Sequence, residues 1–136
     1  MPNYLGGDIQ EIVCKHPTIG EFRFQAKSNE SFTLDPGGIR TNDDANQVTG
    51  SGNIIQQKNR VRWSFEGPVA VDPISSNEFE NLPALAASPV LGTWTITHIS
   101  GTIWKGLGIP VGDLQPDTNT AQMTLKISGS GKLEKL

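Results

Sequence analysis

The 136-residue sequence has little of the chemistry on which most enzymes and metal sites depend. It contains one cysteine, Cys14, and two histidines, His16 and His98. A lone cysteine cannot form an intramolecular disulfide, and no second thiol or histidine-rich cluster accompanies it as a metal site. We predict that Cys14 is a small apolar side chain in a strand, because free cysteine is usually buried. A disulfide between subunits is the alternative.

Long hydrophobic runs and an excess of basic charge are also missing. No stretch approaches the roughly 18 apolar residues of a membrane span, and the start, residues 1–8, lacks the basic and apolar regions of a signal peptide. We therefore expect a soluble chain made in the cytoplasm. The net charge of −3 argues against a protein that grips phosphates. The length indicates one domain, residues 1–136, with one core.

Neither histidine stands in a catalytic pattern. The strand alternation places His98 on the same face as Trp94 and Ile96, where a structural histidine is expected, and no serine or cysteine partner motif is nearby. His16 precedes Pro17 in a turn and is predicted to be solvated. The chain is not expected to be an enzyme.

Acidic, glycine-rich and basic segments are the other candidate sites. The acidic residues Asp35, Asp43, Asp44, Asp72, Asp113 and Asp117 could do acid–base chemistry or bind calcium only if the fold brought them together in a cleft. The stretch from Asp113 to Asn119 lacks the complete spacing of a calcium loop and is predicted to be a solvated turn. In Gly106–Asp113, Pro110 removes a backbone donor and no helix follows, so a phosphate loop is not expected. Lys58, Arg60 and Arg62 are predicted to face away from the aromatic residues that would stack on bases. No catalytic, cofactor-binding or metal-binding residue is predicted.

The chain is rich in turn formers and in alternating segments. It has 15 glycines and nine prolines. Apolar and polar residues alternate in Glu21–Ala26, in Arg60–Glu66, where Val61, Trp63 and Phe65 share a face, and in Thr93–Ile99. The same pattern continues in 102–105, 122–127 and 132–136. Ser100-Gly101 predicts a tight turn that pairs strands 93–99 and 102–106 as an antiparallel hairpin.

Two segments depart from the β pattern. Residues 75–88 predict a helix, because Ser75 and Glu78 have capping-box spacing and Phe79, Leu82 and Leu85 recur at helical intervals. Pro83 is expected to kink this helix or split it into two turns, and its apolar side is expected to cover an end or a face of the sheet. Residues 35–53 are predicted to be loop for most of their length.

The order of these strand and turn signatures resembles a known family. Gly20-Glu-Phe-Arg-Phe, Asp35-Pro-Gly-Gly, Gly52 through Phe65, Thr93-Trp-Thr-Ile through Asp113, and Leu125 through Leu133 together look like the tube protein of a bacteriophage tail. The resemblance covers most of the chain and rests on order and coverage, since none of these stretches is tied to a chemical step.

The resemblance implies a mainly β protein, a small β-sandwich or barrel with one flanking α-helix. Six copies would close into a ring whose inner strands form one continuous β-barrel, and rings would stack into a tube for genome delivery. The implied partners are other copies, the baseplate, tail terminator and tape measure proteins, and a sheath if the tail contracts. The implied location is the virion tail. Residues 35–53 would contact neighbouring subunits or rings.

Other readings stay open. Similar tubes occur in type VI secretion and in contractile injection systems. A ligand-binding β-sandwich would display Trp94 or Trp104 on an exposed face and would be monomeric. We also predict that replacing Trp63 or Phe65 by Ala costs about 3–5 kcal/mol. The bore of a ring is expected to be net negative, with Lys and Arg of the 58–62 region engaged between subunits.

Overall fold

The computed structural model describes residues 2–41, 46–74 and 78–136. These ranges form twelve strands and one helix. The strands are β1 (Ile9–His16), β2 (Gly20–Ala26), β3 (Thr33–Asp35), β4 (Gly38–Thr41), β5 (Gln47–Val48), β6 (Ile54–Ile55), β7 (Lys58–Val61), β8 (Ser64–Ala70), β9 (Gly92–His98), β10 (Ile103–Val111), β11 (Gln122–Gly129) and β12 (Glu134–Lys135). The helix α1 (Glu78–Ala87) lies between β8 and β9.

Six of the strands close into an antiparallel barrel. The order around the barrel is β11, β10, β9, β1, β2 and β8, and β8 pairs with β11 to complete the ring. The closing pair is long, running from Gln122 opposite Ala70 to Ser128 opposite Ser64. The short strands β3 and β12 pair at the margins with β8 and β10. The predicted fold class, a small β-barrel with one flanking helix, is confirmed.

The antiparallel order gives the barrel two distinct ends. At one end lie the described residues of the connections 17–19, 71–74, 78–91 and 112–121, which include α1, and we call it the helix end. At the other end lie residues 2–8, 27–41, 46–63, 99–102 and 130–136, and we call it the arm end. The chain leaves this second end as two short hairpins, β4 with β7 and β5 with β6. We call residues 38–61 the arm.

The barrel interior is filled by large side chains. Trp63 and Trp94 are completely buried, and the Phe24 and Trp94 rings stack with centroids 5.7 Å apart. The indole Nε1 of Trp94 donates to the Gly108 carbonyl at 2.9 Å. The other buried side chains of this core are Ile12, Cys14, Phe65, Val69, Leu82, Leu85, Ile96, Met123, Leu125, Ile127 and Leu133. Leu82 and Leu85 belong to α1, so the helix closes one barrel end with its apolar side.

Trp63 fits because three strand positions opposite it are glycines. A Cβ at Gly129 would lie 1.8 Å from its Nε1, and a Cβ at Gly106 or Gly108 would also come within 3.0 Å of the ring. The indole Nε1 donates to the Leu107 carbonyl at 3.0 Å. The buried aromatic face predicted for Trp63 and Phe65 is therefore correct.

Several local predictions are confirmed. β9 and β10 pair antiparallel, and Gly101 in their turn has φ +89°. Phe24 points into the core from β2, while Glu21 and Arg23 on the other face are exposed.

The predicted continuous strand over Arg60–Glu66 is wrong. β7 ends at Val61 and β8 begins at Ser64. Between them the Trp63 amide donates to the Gly131 carbonyl at 3.1 Å, and the Gly129 amide donates to the Trp63 carbonyl at 2.9 Å. In a continuous strand these backbone groups of Trp63 would bond to the strands that pair with β7 or β8. Here they bond to residues 129 and 131 instead, because the chain passes from the arm into the barrel at this point.

The helix prediction is right in place, and of its two alternatives at Pro83 the split into two turns is wrong. α1 runs unbroken from Glu78 to Ala87 with Pro83 inside it, so the proline does not split it. Pro83 removes one backbone donor, and the packing of Leu82 and Leu85 in the core holds the flanking turns together. Ser75 lies outside the described residues.

The predicted loop over residues 35–53 contains two strands. β4 and β5 fall within it and pair with β7 and β6. A two-stranded arm is exposed on both faces, so its sequence carries no alternation of apolar and polar residues. Asp43 and Asp44 lie outside the described residues.

Candidate assembly surfaces

The arm exposes large apolar side chains that the barrel leaves uncovered. Ile39, Val48, Ile54 and Ile55 are 63%, 69%, 58% and 52% exposed. Val48 is directly opposite Ile54 in the β5–β6 pair and shares a face with it, whereas Ile55 is opposite Gln47 and faces the other way. Neither face of this hairpin is packed. An isolated two-stranded ribbon gains little stability in water, so these side chains are suited to contact with another surface.

The point where the arm leaves the barrel is tightly fixed. Gly37 has φ +72°, and a Cβ there would lie 2.6 Å from the Trp63 amide nitrogen and 2.7 Å from the Gly131 carbonyl oxygen. Only glycine meets both demands. Asp35 accepts a bond from the Gly37 amide at 3.0 Å and pairs with Arg40 of β4. The Gly37 bond and the Arg40 contact hold the pKa of Asp35 below its ordinary value.

Polar side chains shape the outer part of the arm. The Asn53 amide donates to Thr49 Oγ1 at 3.0 Å, and the Gly52 amide donates to the Thr49 carbonyl at 2.9 Å, which closes the turn between β5 and β6. The Gln57 amide donates to Asn46 Oδ1 at 2.9 Å and joins the two hairpins. The described residues of the outer arm, 46–57, thus form hydrogen-bonded turns and strands while their apolar side chains stay in solvent.

The helix end carries a hollow beside α1. Its volume is about 350 Å³, and its floor is apolar, formed by Phe24, Val69, Phe79, Leu82 and Met123. Asp72 and Glu78 lie at its margin. Ile74, in the connection to α1, is 93% exposed.

The arm end carries a second hollow, of about 450 Å³, lined by aromatic and acidic residues. Phe32, Phe65, His98 and Trp104 contribute rings, and the His98 and Trp104 rings meet edge to face at 6.3 Å. Trp104 is partly exposed, whereas Trp94 is buried and cannot serve the ligand-binding alternative.

One of the two histidines, His16, does not lie where it was predicted. His16 is buried, with 6% exposure, so the prediction that it is solvated is wrong. Its Nε2 donates to the Val90 carbonyl at 2.9 Å, and its Nδ1 accepts from the amides of Thr18 and Ile19, each at 3.2 Å. It ties the β1–β2 turn to the start of β9. Pro17 indicated a turn, but the sequence alone could not show that residues 88–90 lie beside His16.

His98 and Cys14 lie where structural residues were predicted. His98 Nδ1 accepts from the Ser100 amide at 3.2 Å and lies near the Ser100 hydroxyl, which stabilises the β9–β10 turn. Cys14 is fully buried, and burial raises the pKa of its thiol to about 12. The alternative of a disulfide between subunits is therefore wrong for this fold.

The remaining sequence candidates do not converge on one site. Asp117 accepts bonds from the amides of Asn119 and Thr120, which lower its pKa and define a solvated turn. Arg62 donates from Nε to Ser128 Oγ at 2.6 Å, whereas Arg60 lies on the arm opposite Ile39. Within the described residues, no three His, Cys, Asp or Glu side chains are grouped to hold a metal ion.

Comparison with known proteins finds no matching family model and no curated protein of similar sequence. In the part of the chain that the structure describes, no helix has the length and apolarity needed to cross a membrane.

Proposed function

We propose that this chain is the tube-forming structural protein of a bacteriophage tail. Copies would close into six-membered rings, rings would stack, and the genome would pass through the bore into the host. The sequence resemblance motivates this proposal, and a barrel with one flanking helix agrees with the fold that it implies. A tube of type VI secretion or of a contractile injection system would use the same surfaces.

The exposed apolar arm is the observation that carries the proposal. Large aliphatic side chains on both faces of a thin ribbon are a cost to a monomer in water and an advantage in an assembly. Repeated contact between unlike surfaces of identical copies produces rings or filaments. A structural protein of this kind needs no catalytic group, and its function resides in its contacts.

Passage of DNA sets a further expectation for the bore. A neutral or acidic wall repels phosphate, whereas a basic wall binds it in a salt-dependent way. We expect the residues that line a ring to be net negative, with Lys58, Arg60 and Arg62 mostly engaged between subunits. A tube structure with a bore lined mainly by Lys and Arg would contradict this expectation.

Electron microscopy of the purified protein tests the proposal. We expect six-fold rings or tubes at high concentration or after seeding, and analytical ultracentrifugation should detect the corresponding large species. A strictly monomeric protein that gives no six-fold object under any seeding condition would refute the proposal.

The aromatic hollow at the arm end supports a second candidate, a ligand-binding β-barrel module. Partly exposed Trp104 beside Phe32 offers rings on which a planar or sugar ligand could stack. This candidate predicts a monomer whose tryptophan fluorescence changes on ligand addition and no longer changes in Trp104→Ala. If Trp104→Ala forms rings to the same extent as wild type, this hollow is not required for assembly.

A further inference from the structure

The connections at the helix end and the arm carry charged residues of opposite sign. The described connections at the helix end contain acidic side chains and no lysine or arginine. The acidic residues are Asp72, Glu78, Glu80, Asp113 and Asp117. They come from two separate connections, 71–91 and 112–121, so their common position is a product of the fold and not of a run in the sequence.

The arm carries the opposite charge. Its described residues include Arg40, Lys58 and Arg60 and no carboxylate. Basic side chains still outnumber acidic ones over 38–61 when Asp43 and Asp44 are counted from the sequence. The charged residues of the arm are interspersed with its exposed apolar residues, since Arg60 is opposite Ile39 and Lys58 lies three residues beyond Ile55.

The hollow beside α1 has the chemistry that complements the arm. Its apolar lining suits a branched aliphatic side chain. Its charged lining residues are Asp72, Glu78 and Arg23, and Arg23 is already paired with Glu11, which leaves the carboxylates as the charges that can complement the arm. Phe79 on this floor is partly exposed, so the surface accepts apolar contact without rearrangement of the core. Ile74, beside it, adds an exposed apolar side chain.

We propose that the arm of one copy binds the helix end of the next. An apolar arm side chain occupies the hollow beside α1, and Lys58 and Arg60 contact the acidic residues of the helix end named above, which we call the acidic rim. The inference rests on the proposed function and specifies the contact that stacks one ring on another. Arm and hollow lie at opposite ends of the barrel. The contact therefore leaves a free arm at one end of the pair and a free hollow at the other, and it propagates along an axis.

Charge reversal tests this pairing. In an arm variant, Lys58→Glu with Arg60→Glu makes the arm acidic, and in a helix-end variant, Asp72→Lys with Glu80→Lys reverses two charges of the acidic rim. Each variant alone should stack at least tenfold more weakly than wild type, because like charges then meet at every junction. An equimolar mixture should stack again, with the two variants alternating. A chain that carries all four changes should also stack.

Negative-stain microscopy and sedimentation velocity measure stacking, and thermal melting verifies that each variant is folded. Lys105→Glu, on β10 opposite Glu134 of β12 and outside the arm, is the control and should stack as wild type does. Raising the salt from about 0.1 M to about 1 M should weaken the wild-type contact, because screening shortens from about 10 Å to about 3 Å.

The outcomes separate this inference from the proposed function. If wild type forms tubes and the variants stack equally well, or if the mixture does not recover, the arm-to-hollow contact is wrong and the tube function stands. If head-to-tail pairs respond to the charge swap but no ring forms, the contact stands and the tube function is wrong. A wild-type protein with no self-association refutes both.

Discussion

At the residue scale, the packing of Trp63 explains why glycine occupies neighbouring strand positions. Gly106, Gly108 and Gly129 lie against the indole ring, and any side chain there would overlap it. The aromatic residue and the glycines form one packing unit drawn from β10, β11 and the segment before β8. The predicted cost of about 3–5 kcal/mol for Trp63→Ala agrees with the complete burial of this side chain.

We expect Gly129→Ala to lower the free energy of unfolding by about 1–3 kcal/mol or more, because the new methyl group overlaps buried Trp63. Gly50→Ala is the matched control, since a Cβ there meets no atom within 4 Å, and its effect should stay within about 0.5 kcal/mol. Urea denaturation followed by tryptophan fluorescence measures both. Wild-type stability of Gly129→Ala would mean that Trp63 does not pack there.

We expect the Cys14 thiol to resist alkylation by iodoacetamide in the folded protein. The side chain is fully buried and burial raises its pKa to about 12, so little thiolate is present and none is accessible. Mass spectrometry should show labelling only after denaturation. The variant Ser130→Cys places a second thiol at an exposed position and should react in the native state. Rapid native labelling of Cys14 would contradict its position inside the barrel.

At the scale of elements, the arm is anchored strongly and packed weakly. Gly37, the Asp35–Arg40 pair and the backbone bonds of Trp63 fix its base, whereas its outer hairpin exposes apolar residues on both faces. This division lets changes in the outer arm alter association without altering the barrel.

We expect Val48→Asp to abolish stacking while the melting temperature stays near that of wild type. Val48 is 69% exposed, so its replacement removes little buried area from the monomer. Gln56→Asp adds the same charge at an exposed polar position of the arm and is the matched control, which should retain stacking. Sedimentation velocity compares the two variants. Equal loss in both would show that charge, and not apolar contact, is responsible.

At the scale of the whole molecule, three carboxylates stabilise turns and connections outside the six barrel strands. Asp8 accepts bonds from the Asn29 amide and the Ser28 hydroxyl, Asp35 from the Gly37 amide, and Asp117 from the Asn119 and Thr120 amides. These bonds lower the pKa of each group from its ordinary value of 3.8. Each carboxylate therefore stabilises the folded protein at pH values above 3.8. This stabilisation is lost as the pH falls through the lower pKa of the folded state.

We expect thermal stability to fall as the pH drops below 3.8, and to fall less in a variant with Asp8→Asn, Asp35→Asn and Asp117→Asn. The asparagines are uncharged at every pH, so the variant is less stable than wild type at neutral pH. The difference in stability between the two proteins becomes smaller in acid. Calorimetry across this pH range measures it. Parallel curves for the two proteins would show that these carboxylates do not couple folding to pH.

The sequence by itself determined the local elements of this protein. Alternation in Glu21–Ala26 and Thr93–Ile99 identified strands and their buried faces, glycine placed the β9–β10 turn, and helical spacing located α1 near Leu82 and Leu85. These features depend on side-chain periodicity and local backbone preference, which neighbouring residues specify.

Only the tertiary structure decided the rest. Closure of the barrel by β8 and β11, burial of His16 beside 88–90, the break before Trp63 and the pairing of the arm strands join residues distant in sequence. The hydrogen bonds of these segments depend on which other segment lies next to them, and the periodicity of the sequence does not predict the neighbouring segment. The gathering of Asp72, Glu80 and Asp113 at the helix end follows from strand direction, because these residues come from connections that are far apart in the sequence.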